Sequence, residues 1–473
     1  MKVILAGYNL DSGVIESLKK GEKPENNVTP EVISAAYARI SRDPRPVDEL
    51  RKAAREEVEK SRKSNQNIIF KMGHHSVAEH AVFNFDILDI SRFAMEELEK
   101  FRLCSYTEKS QRYQKLENNF VIPKEIKGSD FEKDFEKAIK LQNDLYKEMT
   151  ENKIEPEDAR YVTSLATKGQ LGLTMNARNL ELMFRRFASS KYSEIRHLGK
   201  ALYKEVESIA PSIILFREAN PLDENTYDEI KTFTLDKVPT SSSKPGDEPE
   251  VSLINYSHYS DEIILTALLH TTSNISFEEC RKKIKGMNIN KQLDMAKIAF
   301  KNMEFYDSTL REFELVELTF EIALSAACFG QLKRHRMATL CSQMYDPTLG
   351  ATIPPAVKEA GLEEKFKKVI EETEKVYNLM SADAKLEPYA HYILTNAHRR
   401  RVIFKCNARE LYHVIRLRED AHAQWDIQNI AAQMANLARK VMPLTMLTIC
   451  GKDCYTDVYE KVFGEPPKVK AEY

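Results

Sequence analysis

The chain contains one internal duplication, and this feature most constrains its fold. Residues 175–187 read MNARNLELMFRRF and residues 406–418 read CNARELYHVIRLR, with the shared Asn-Ala-Arg 231 positions apart (407 − 176). Two further pairs keep the same order: KFRLCSYTEKSQRY from Lys100 with RHRMATLCSQMY from Arg334, and VILAGYN from Val3 with VSLINYS from Val251. A period this long indicates two homologous domains rather than a solenoid of short repeats.

The length of the chain and one coil-like stretch place the domain boundary. At 473 residues the chain exceeds the size at which a single hydrophobic core keeps growing. Residues 236–250 read DKVPTSSSKPGDEPE, and proline, serine and glycine of this kind favour turns and coil. We therefore predict a first repeat over residues 1–235, a linker over 236–250 and a second repeat over 251–473.

Charge, hydropathy and cysteine usage exclude several classes of protein. The formal net charge of −2 gives no basic field for binding nucleic acid. No run approaches the roughly 20 apolar residues that a membrane span needs, and the apolar run near the N-terminus is too short for a signal peptide. Seven cysteines without a regular framework suit a reducing compartment, so we expect a cytoplasmic protein.

Hydrophobic periodicity predicts the same elements in both halves. Residues 2–8 and 251–256 alternate as strands do, and so do residues 82–90 and 318–324. Residues 91–100 and 421–441 carry apolar side chains at three- and four-residue steps and are predicted to be amphipathic helices. Residues 363–375 mix acidic and basic side chains, as a solvated helix face does. These patterns predict an α+β fold of two homologous mixed α/β domains, each a mainly antiparallel sheet with long flanking helices.

The second repeat concentrates hydrogen-bond donors in two places. Arg334-His335-Arg336, at the expected end of a helix, suits a phosphate or an anion-forming ring, although a surface basic cluster has the same composition. Asn407 and Arg409 precede an amphipathic helix that is followed by REDAHAQW, residues 418–425. Polar groups beside the single tryptophan indicate a polar pocket with an aromatic wall, or alternatively a capped helix with a core tryptophan.

The first repeat offers a different set of groups. GHHSVAEH, residues 73–80, places three imidazoles near a carboxylate, and metal ligation is one reading of it. Zinc has no support from paired CxxC or HExxH motifs, and the lone pair of Cys450 and Cys454 is more typical of structural cysteines, so we predict no metal site. Glu108, Ser110 and Arg112 alternate, so an extended segment would present them on one face as a phosphate clasp.

Taken together, these segments resemble the flavin-dependent thymidylate synthase family. The family signature is an RHR triplet followed by Ser-x-Arg-Tyr, preceded by GHxSxxEH and followed by NAR…R…AQWEI, and the match covers most of both halves. The resemblance implies a mixed α/β homotetramer that binds FAD and builds its active sites between subunits. It also implies methylation of dUMP, with methylenetetrahydrofolate as the carbon donor and NADPH as the reductant of the flavin.

The resemblance assigns roles to matching positions. Nucleotide contacts fall on Gln331, Arg334, Glu108, Ser110, Arg112 and Arg160. Flavin contacts fall on His74, Ser76, Arg334, His335, Arg336, Asn407, Arg409 and His413. Arg418 matches the catalytic arginine that stabilises negative charge on the uracil ring. Because a guanidinium stays protonated in proteins, the role of Arg418 must be electrostatic rather than that of a base.

Each repeat departs from the family pattern where the other keeps it. The first repeat has Lys100, Phe101 and Arg102 for the triplet, Glu97 for the glutamine and Phe187 at the ring-facing position, with Arg186 next to it. The second repeat has Ser342, Met344, Asp346, His391 and Asp307 where the first has Glu108, Ser110, Arg112, Arg160 and His74. The complementary losses predict one complete composite site between the two repeats and one incomplete site. We expect a homodimer equivalent to the four-domain tetramer of the family.

Two other functions fit the same motifs. Thr107 and Cys341 both replace an asparagine of the family, which is consistent with a flavin-dependent enzyme that modifies another pyrimidine nucleotide. A noncatalytic protein that binds a nucleotide or a flavin is the second alternative. Tritium release from C5-labelled dUMP, with folate and NADPH present, separates a synthase from a sensor.

Overall fold

The computed structural model describes residues 1–23, 27–113, 119–237 and 249–469. Residues 238–248 of the predicted linker thus lie outside the described residues. The chain forms two compact units, which do not coincide with the two repeats. Unit 1 comprises Met1–Ser242 and Pro355–Thr395, and unit 2 comprises Ser243–Pro354 and Asn396–Tyr473.

The first repeat alternates strands with helices. Its strands are β1 (Lys2–Tyr8), β2 (Val82–Ser91), β3 (Cys104–Glu108) and β4 (Lys168–Asn176). Its helices are α1 (Ser12–Lys19), α2 (Glu31–Arg39), α3 (Val47–Glu56), α4 (Val58–Gln66), α5 (Arg92–Leu98), α6 (Glu132–Glu151), α7 (Pro156–Ala159), α8 (Ala177–Ala188), α9 (Ser193–Val206) and α10 (Pro221–Lys237). One turn of π-helix covers Asn67–Lys71, and short 3-10 helices cover His75–His80 and Arg160–Val162.

The second repeat follows the same plan. Its strands are β5 (Val251–Tyr256), β6 (Glu317–Ser325), β7 (Thr339–Ser342) and β8 (Arg399–Asn407). Its helices are α11 (Ser260–Thr271), α12 (Phe277–Gly286), α13 (Ile289–Phe300), α14 (Ala326–Leu332), α15 (Pro355–Glu359), α16 (Glu363–Ser381), α17 (Ala408–Arg418), α18 (Trp425–Val441) and α19 (Tyr455–Phe463). Short 3-10 helices cover Arg311–Leu315, Pro347–Leu349 and Glu387–Ile393.

Each repeat builds a four-stranded antiparallel sheet with the same strand order. The orders are β1-β2-β4-β3 and β5-β6-β8-β7. The registers also correspond, since Val3 pairs with Ile87 in one sheet and Val251 pairs with Ile322 in the other. The predicted α+β fold of two homologous domains is confirmed, and the predicted strands 2–8 and 251–256 have the bounds of β1 and β5.

A β-bulge in the first repeat explains a small change in the spacing of the duplication. Equivalent residues are 235 apart at the start of β2 and β6 (317 − 82) but 234 apart at their ends (325 − 91). The register of β2 against β4 shifts between Leu88 and Ile90, whereas that of β6 against β8 is continuous. Asp89 is the extra residue, and its φ of 59° is the left-handed conformation that aspartate tolerates better than most side chains.

The core of unit 2 includes the buried face of β6 and the apolar face of α18. Phe320 and Ile322 project from the buried face of β6, and α18 presents Ile427, Ile430 and Met434 at three- and four-residue steps. These side chains belong to one buried cluster, as the amphipathic pattern predicts. Helix α18 begins at Trp425 and not at residue 421, because residues 419–423 form turns after α17.

Unit 1 also contains residues Pro355–Thr395 of the second repeat. In this unit, equivalent residues of the two repeats contact each other. Helices α6 and α16 pack together, and Gln142 Nε2 donates to Thr373 Oγ1 at 2.9 Å, with 142 + 231 = 373. Ser164 forms an antiparallel bridge with Thr395, its own counterpart (164 + 231). Contacts between equivalent residues are the pattern of an isologous, twofold interface. Helix α16 therefore buries one face, including Phe366 and Ile370, and exposes its charged face as predicted.

A membrane-crossing helix would have to be long and continuously apolar. Among the described residues no helix meets both conditions.

Candidate functional site

The Arg334-His335-Arg336 triplet lies in a turn directly after α14, where the sequence placed it. Ser325 begins α14 as its N-cap, accepting from the backbone N of Cys328 at 3.0 Å, and its hydroxyl donates to Asp426 Oδ2 at 2.6 Å. The turn buries the imidazole of His335 and leaves the two flanking arginines on the surface. The triplet thus presents two guanidiniums on either side of a buried ring.

His335 is held as a neutral imidazole by its surroundings. Arg418 Nε donates to His335 Nε2 at 2.9 Å, so Nε2 is the acceptor and the ring proton resides on Nδ1. Burial lowers the pKa of His335 well below its usual range, and the positive charges of Arg418, His413 and Arg334 act in the same direction. The ring centroids of His335 and His413 are 5.7 Å apart, and His335 Nδ1 lies 3.7 Å from Glu410 Oε1.

The neutral state of His335 should appear as a pH dependence of stability. The unfolded chain takes up a proton near pH 6.5 while the folded protein resists it, so the free energy of unfolding falls as pH drops below about 6.5. The contribution is at most about 1.4 kcal/mol per pH unit. The melting temperature of the wild type should therefore fall more between pH 7.5 and pH 5.5 than that of His335→Gln. Equal pH slopes for the two proteins would contradict a buried neutral imidazole.

Two buried polar atoms beside this contact lack a partner. Gln331 is 7% exposed, and its Nε2 donates to Gln424 Oε1 at 2.9 Å. Over the part of the chain that the structure describes, Gln331 Oε1 and His335 Nδ1 have no hydrogen-bond partner. Unsatisfied buried polar atoms are destabilising, and a bound water or a polar ligand can satisfy them.

Asn407 and Arg409 have structural roles that both repeats share. The Asn407 side chain caps α17 by accepting from the backbone N of Glu410 at 2.8 Å, and Asn176 caps α8 in the same way. Arg409 donates to Glu314 at 2.6 Å, and its counterpart Arg178 donates to Glu79. The conserved Asn-Ala-Arg therefore begins a helix in each repeat. In the second repeat, Arg409 and Arg418 lie at opposite ends of α17, about 14 Å apart along the axis.

Paired substitutions separate capping from ligand binding. Loss of either cap should lower the free energy of unfolding by about 1 kcal/mol, since helix N-cap asparagines contribute roughly that amount. Asn176→Ala should therefore lower thermal stability and leave bound flavin unchanged. Asn407→Ala should lower stability equally and lower flavin content as well. Flavin content that is the same in both variants would reduce Asn407 to a helix cap.

Unit 1 gathers the nucleotide-contact candidates of the first repeat around two carboxylates. Arg92 Nη1 donates to Glu108 Oε2 at 2.7 Å, and Arg112 Nε donates to Glu157 Oε2 at 2.9 Å. Ser110 Oγ accepts from the backbone N of Arg112 at 3.1 Å, which closes a turn. Residues 108–112 are not extended throughout, because β3 ends at Glu108 and residues 111–113 form a turn.

Three guanidiniums lie close together in this cluster. Arg160 is buried, and its Nε donates to the backbone oxygen of Glu157 at 3.2 Å. Burial lowers the pKa of Arg160, and the charges of Arg92 and Arg112 add to that effect. A concentration of guanidiniums suits a dianionic phosphate. Arg92 was not among the residues predicted from the sequence. The signal for it was an arginine at the first position of α5, directly before apolar residues.

His74 and Ser76 lie at the other end of β2 from this cluster. Both side chains are exposed, and Gly73 before them has a φ of 78°, which allows the turn into the 3-10 helix His75–His80. That helix precedes β2, whereas Arg92 directly follows it. A ten-residue strand is about 30 Å long. Only a long ligand could reach both groups within unit 1, and the grouping of His74 with Glu108 stays a prediction.

The second repeat fills the corresponding position differently. Ser342 pairs with Val402 where Glu108 pairs with Leu171, so the two residues are structurally equivalent (402 − 171 = 231). Arg400 Nη1 lies 3.4 Å from Ser342 Oγ. Its guanidinium carbon lies 3.6 Å from the centroid of the Tyr345 ring and 4.4 Å from that of Phe329. Where the first repeat has the carboxylate of Glu108, the second repeat has Ser342 with the buried guanidinium of Arg400 beside it, stacked on two aromatic rings.

Metal ligation was one reading of the histidine-rich residues 73–80. Within residues 1–23, 27–113, 119–237 and 249–469, no three histidine, cysteine, aspartate or glutamate side chains converge as metal ligands would. The imidazoles of His75 and His80 instead make edge contacts with Phe70 and Tyr37.

A family model matches both halves of the chain. The family, described as thymidylate synthase complementing protein, matches residues 25–212 and again residues 252–444. Together the two matches cover more than half of the chain, and they fall on the two repeats.

Two relatives match about a third and about two fifths of the chain. A flavin-dependent thymidylate synthase of Geobacter sulfurreducens is 35% identical over 158 residues, 32% of this chain and 67% of the relative. A flavin-dependent thymidylate synthase of Clostridium tetani is 32% identical over 218 residues, 42% of this chain and 85% of the relative. Among solved structures, a flavin-dependent thymidylate synthase of Helicobacter pylori complexed with FAD and dUMP is 20% identical, with a TM-score of 0.34 over 46% of this chain and all of that one.

Proposed function

This chain belongs to the thymidylate synthase complementing protein family, and on that premise we propose that it methylates dUMP to dTMP with a flavin cofactor. The observation that carries the proposal is the contact of the half-buried Arg418 with the buried His335, next to unpartnered polar atoms of Gln331 and His335. Relatives named flavin-dependent thymidylate synthase support the choice of reaction. We propose methylenetetrahydrofolate as the carbon donor and NADPH as the reductant.

The residues of unit 2 fit FAD and a pyrimidine ring. Exposed Arg334 and Arg336 can neutralise phosphate, and the neutral His335 adds a donor at Nδ1. Bound flavin supplies hydride, so no cysteine nucleophile is needed. His413, Asn407 and Arg409 along α17 are proposed to contact the flavin, as are His74 and Ser76 of the first repeat.

Arg418 is proposed to stabilise negative charge on the uracil ring. Its Nε is anchored on His335, which fixes the plane of the guanidinium before the substrate arrives. A preorganised cation stabilises developing charge without reorganisation during the reaction. Gln331 is proposed to hydrogen-bond the base through its unpartnered Oε1.

The first repeat is proposed to hold the rest of the nucleotide. Glu108 and Ser110 would contact the sugar and phosphate, and Arg112 and Arg160 would neutralise the phosphate. One repeat retains the residues that the other has lost, so together the two sets amount to one complete site per chain. The contacts between equivalent residues in unit 1 lie within one chain and support a twofold pairing of the repeats there. We propose that two such chains associate as a homodimer, equivalent to the four-domain tetramer that the resemblance implies.

The reducing cytoplasm is the proposed compartment. All seven cysteines are free thiols, which a reducing environment preserves.

The function is tested with the purified, flavin-loaded chain. We expect a flavin absorption spectrum, tritium release from C5-labelled dUMP in the presence of methylenetetrahydrofolate and NADPH, and growth of a thymidine auxotroph that expresses the chain. UMP and dCMP serve as comparison substrates, since Thr107 and Cys341 depart from the family. A folded, flavin-loaded protein that forms no dTMP and does not support growth would overturn the proposal.

A further inference from the structure

Arg92 occupies a fixed position at the junction of β2 and α5. It is the first residue of α5, and its backbone N donates to the carbonyl of Thr167 at 2.9 Å. Its side chain is only 5% exposed. Ser91 before it caps the helix by accepting from the backbone N of Ala94 at 2.9 Å. The start of the helix is thus locked, and the direction of the Arg92 side chain is set by the backbone.

The Arg92 guanidinium lies between two carboxylates. Its Nη1 donates to Glu108 Oε2 at 2.7 Å, and its Nη2 lies 3.8 Å from Glu96 Oε1. Glu108 is the last residue of β3, and its side chain is 15% exposed. A short charge-assisted hydrogen bond fixes the geometry of the carboxylate that accepts it. Arg92 therefore fixes the orientation of the Glu108 carboxylate.

The second repeat has lost both members of this pair. Ala326 stands at the position of Arg92 (326 − 92 = 234), and Ser342 stands at the position of Glu108 (342 − 108 = 234). The helix caps Ser91 and Ser325, which precede the two positions, confirm this equivalence. The repeat that keeps the carboxylate keeps the arginine, and the repeat without the carboxylate has an alanine. Both repeats keep the fold, but only the first keeps the pair. We therefore connect Arg92 to the role of Glu108 and not to folding.

On the basis of the nucleotide site proposed above, we propose that Arg92 is a positioning residue for nucleotide binding, acting through the carboxylate of Glu108. Arg112 and Arg160 would meet the phosphate, while Arg92 presents Glu108 as an oriented hydrogen-bond acceptor for a hydroxyl of the sugar. Arg112 and Arg160 thus have a task separate from that of the Arg92–Glu108 ion pair.

The test measures dUMP binding to the flavin-loaded full chain by calorimetry, with steady-state kinetics alongside. Arg92→Ala should weaken dUMP binding about tenfold or more, since a charge-assisted hydrogen bond contributes roughly 1.5–3 kcal/mol. The loss should appear mainly in the KM for dUMP and less in kcat. Arg92→Lys, which keeps the charge near Glu108, should recover part of the affinity. Glu108→Gln should weaken binding by a similar factor.

The double variant distinguishes action through Glu108 from direct contact with the nucleotide. If Arg92 acts through Glu108, then Arg92→Ala in the Glu108→Gln background should cost little more than Glu108→Gln alone. Losses that multiply would overturn the inference, because Arg92 would then act independently, for example on the phosphate. Arg281→Ala, which removes a 2.6 Å Arg–Glu contact between α12 and α11 in unit 2, should leave dUMP binding unchanged.

The outcomes also separate this inference from the proposed function. A wild-type chain that binds flavin but no dUMP would refute the function itself. A wild type that binds dUMP, with Arg92→Ala folded and equally tight in binding, would refute only the role of Arg92. If Arg92→Ala does not fold, Arg92→Gln replaces it in the same cycle, since its amide still donates to Glu108 without carrying a charge.

Discussion

Replacing Arg418 with alanine is expected to lower turnover about a hundredfold while FAD stays bound. Losing one charge-assisted contact to developing negative charge costs roughly 3 kcal/mol, which corresponds to about two orders of magnitude in rate. The structure adds a reason for this sensitivity, since Arg418 Nε is anchored on the buried His335 at 2.9 Å. The guanidinium is therefore oriented before substrate binds, and a lysine, which has no planar fork, could not reproduce that orientation.

The matched control for Arg418 comes from the first repeat. Phe187 stands at the equivalent position (418 − 231), and Arg186 beside it is half exposed and lies 3.9 Å from Asp223. Arg186→Ala should leave dTMP formation near the wild-type rate, whereas Arg418→Ala and Arg418→Lys should both be strongly impaired. Flavin absorbance in each purified variant checks that the cofactor is retained. Activity of Arg418→Ala within about twofold of wild type, or about 0.4 kcal/mol, would remove this residue from the mechanism.

One dUMP molecule is expected to bind per chain. Each repeat keeps only part of the set of contact residues that the family resemblance implies. In the second repeat, Asp346 stands where the first repeat has Arg112, the proposed phosphate contact, and a carboxylate there would repel a phosphate. Arg400 also occupies the space beside Ser342, stacked on Tyr345 and Phe329. Calorimetric titration of the flavin-loaded protein should therefore give a stoichiometry near one.

Substitutions of contact residues in each repeat test the same prediction by a second measurement. Arg112→Ala and Arg334→Ala should each abolish measurable activity, because each removes a phosphate or nucleotide contact from the complete set. Asp346→Ala, at the position that corresponds to Arg112, and Arg102→Ala, at the position that corresponds to Arg336, should be mild. Two equivalent nucleotides per chain, or equal losses in all four variants, would contradict the complementary assignment even in an active synthase.

Sequence by itself determined the parts of this protein that depend on nearby residues. The duplication was visible because three segments recur in order, and the ends of β1 and β5 followed from alternation over six or seven residues. The buried face of α18 followed from three- and four-residue spacing. The turn that carries Arg334-His335-Arg336 came after a helix as expected. Such features could be predicted because strand alternation and helix periodicity act over a few neighbouring residues.

The tertiary structure alone decided which side chains meet. Arg92 and Glu108 are 16 residues apart in sequence, yet they form an ion pair because α5 follows one strand of the sheet and Glu108 ends another. Arg418 reaches His335 from the far end of α17, and Arg400 takes the place of a carboxylate in the second repeat. Asp89 is the extra residue of β2 and forms a bulge there, which the sequence pattern does not reveal. These contacts depend on strand order and register, and therefore on interactions between segments that are distant in the chain, which no local pattern encodes.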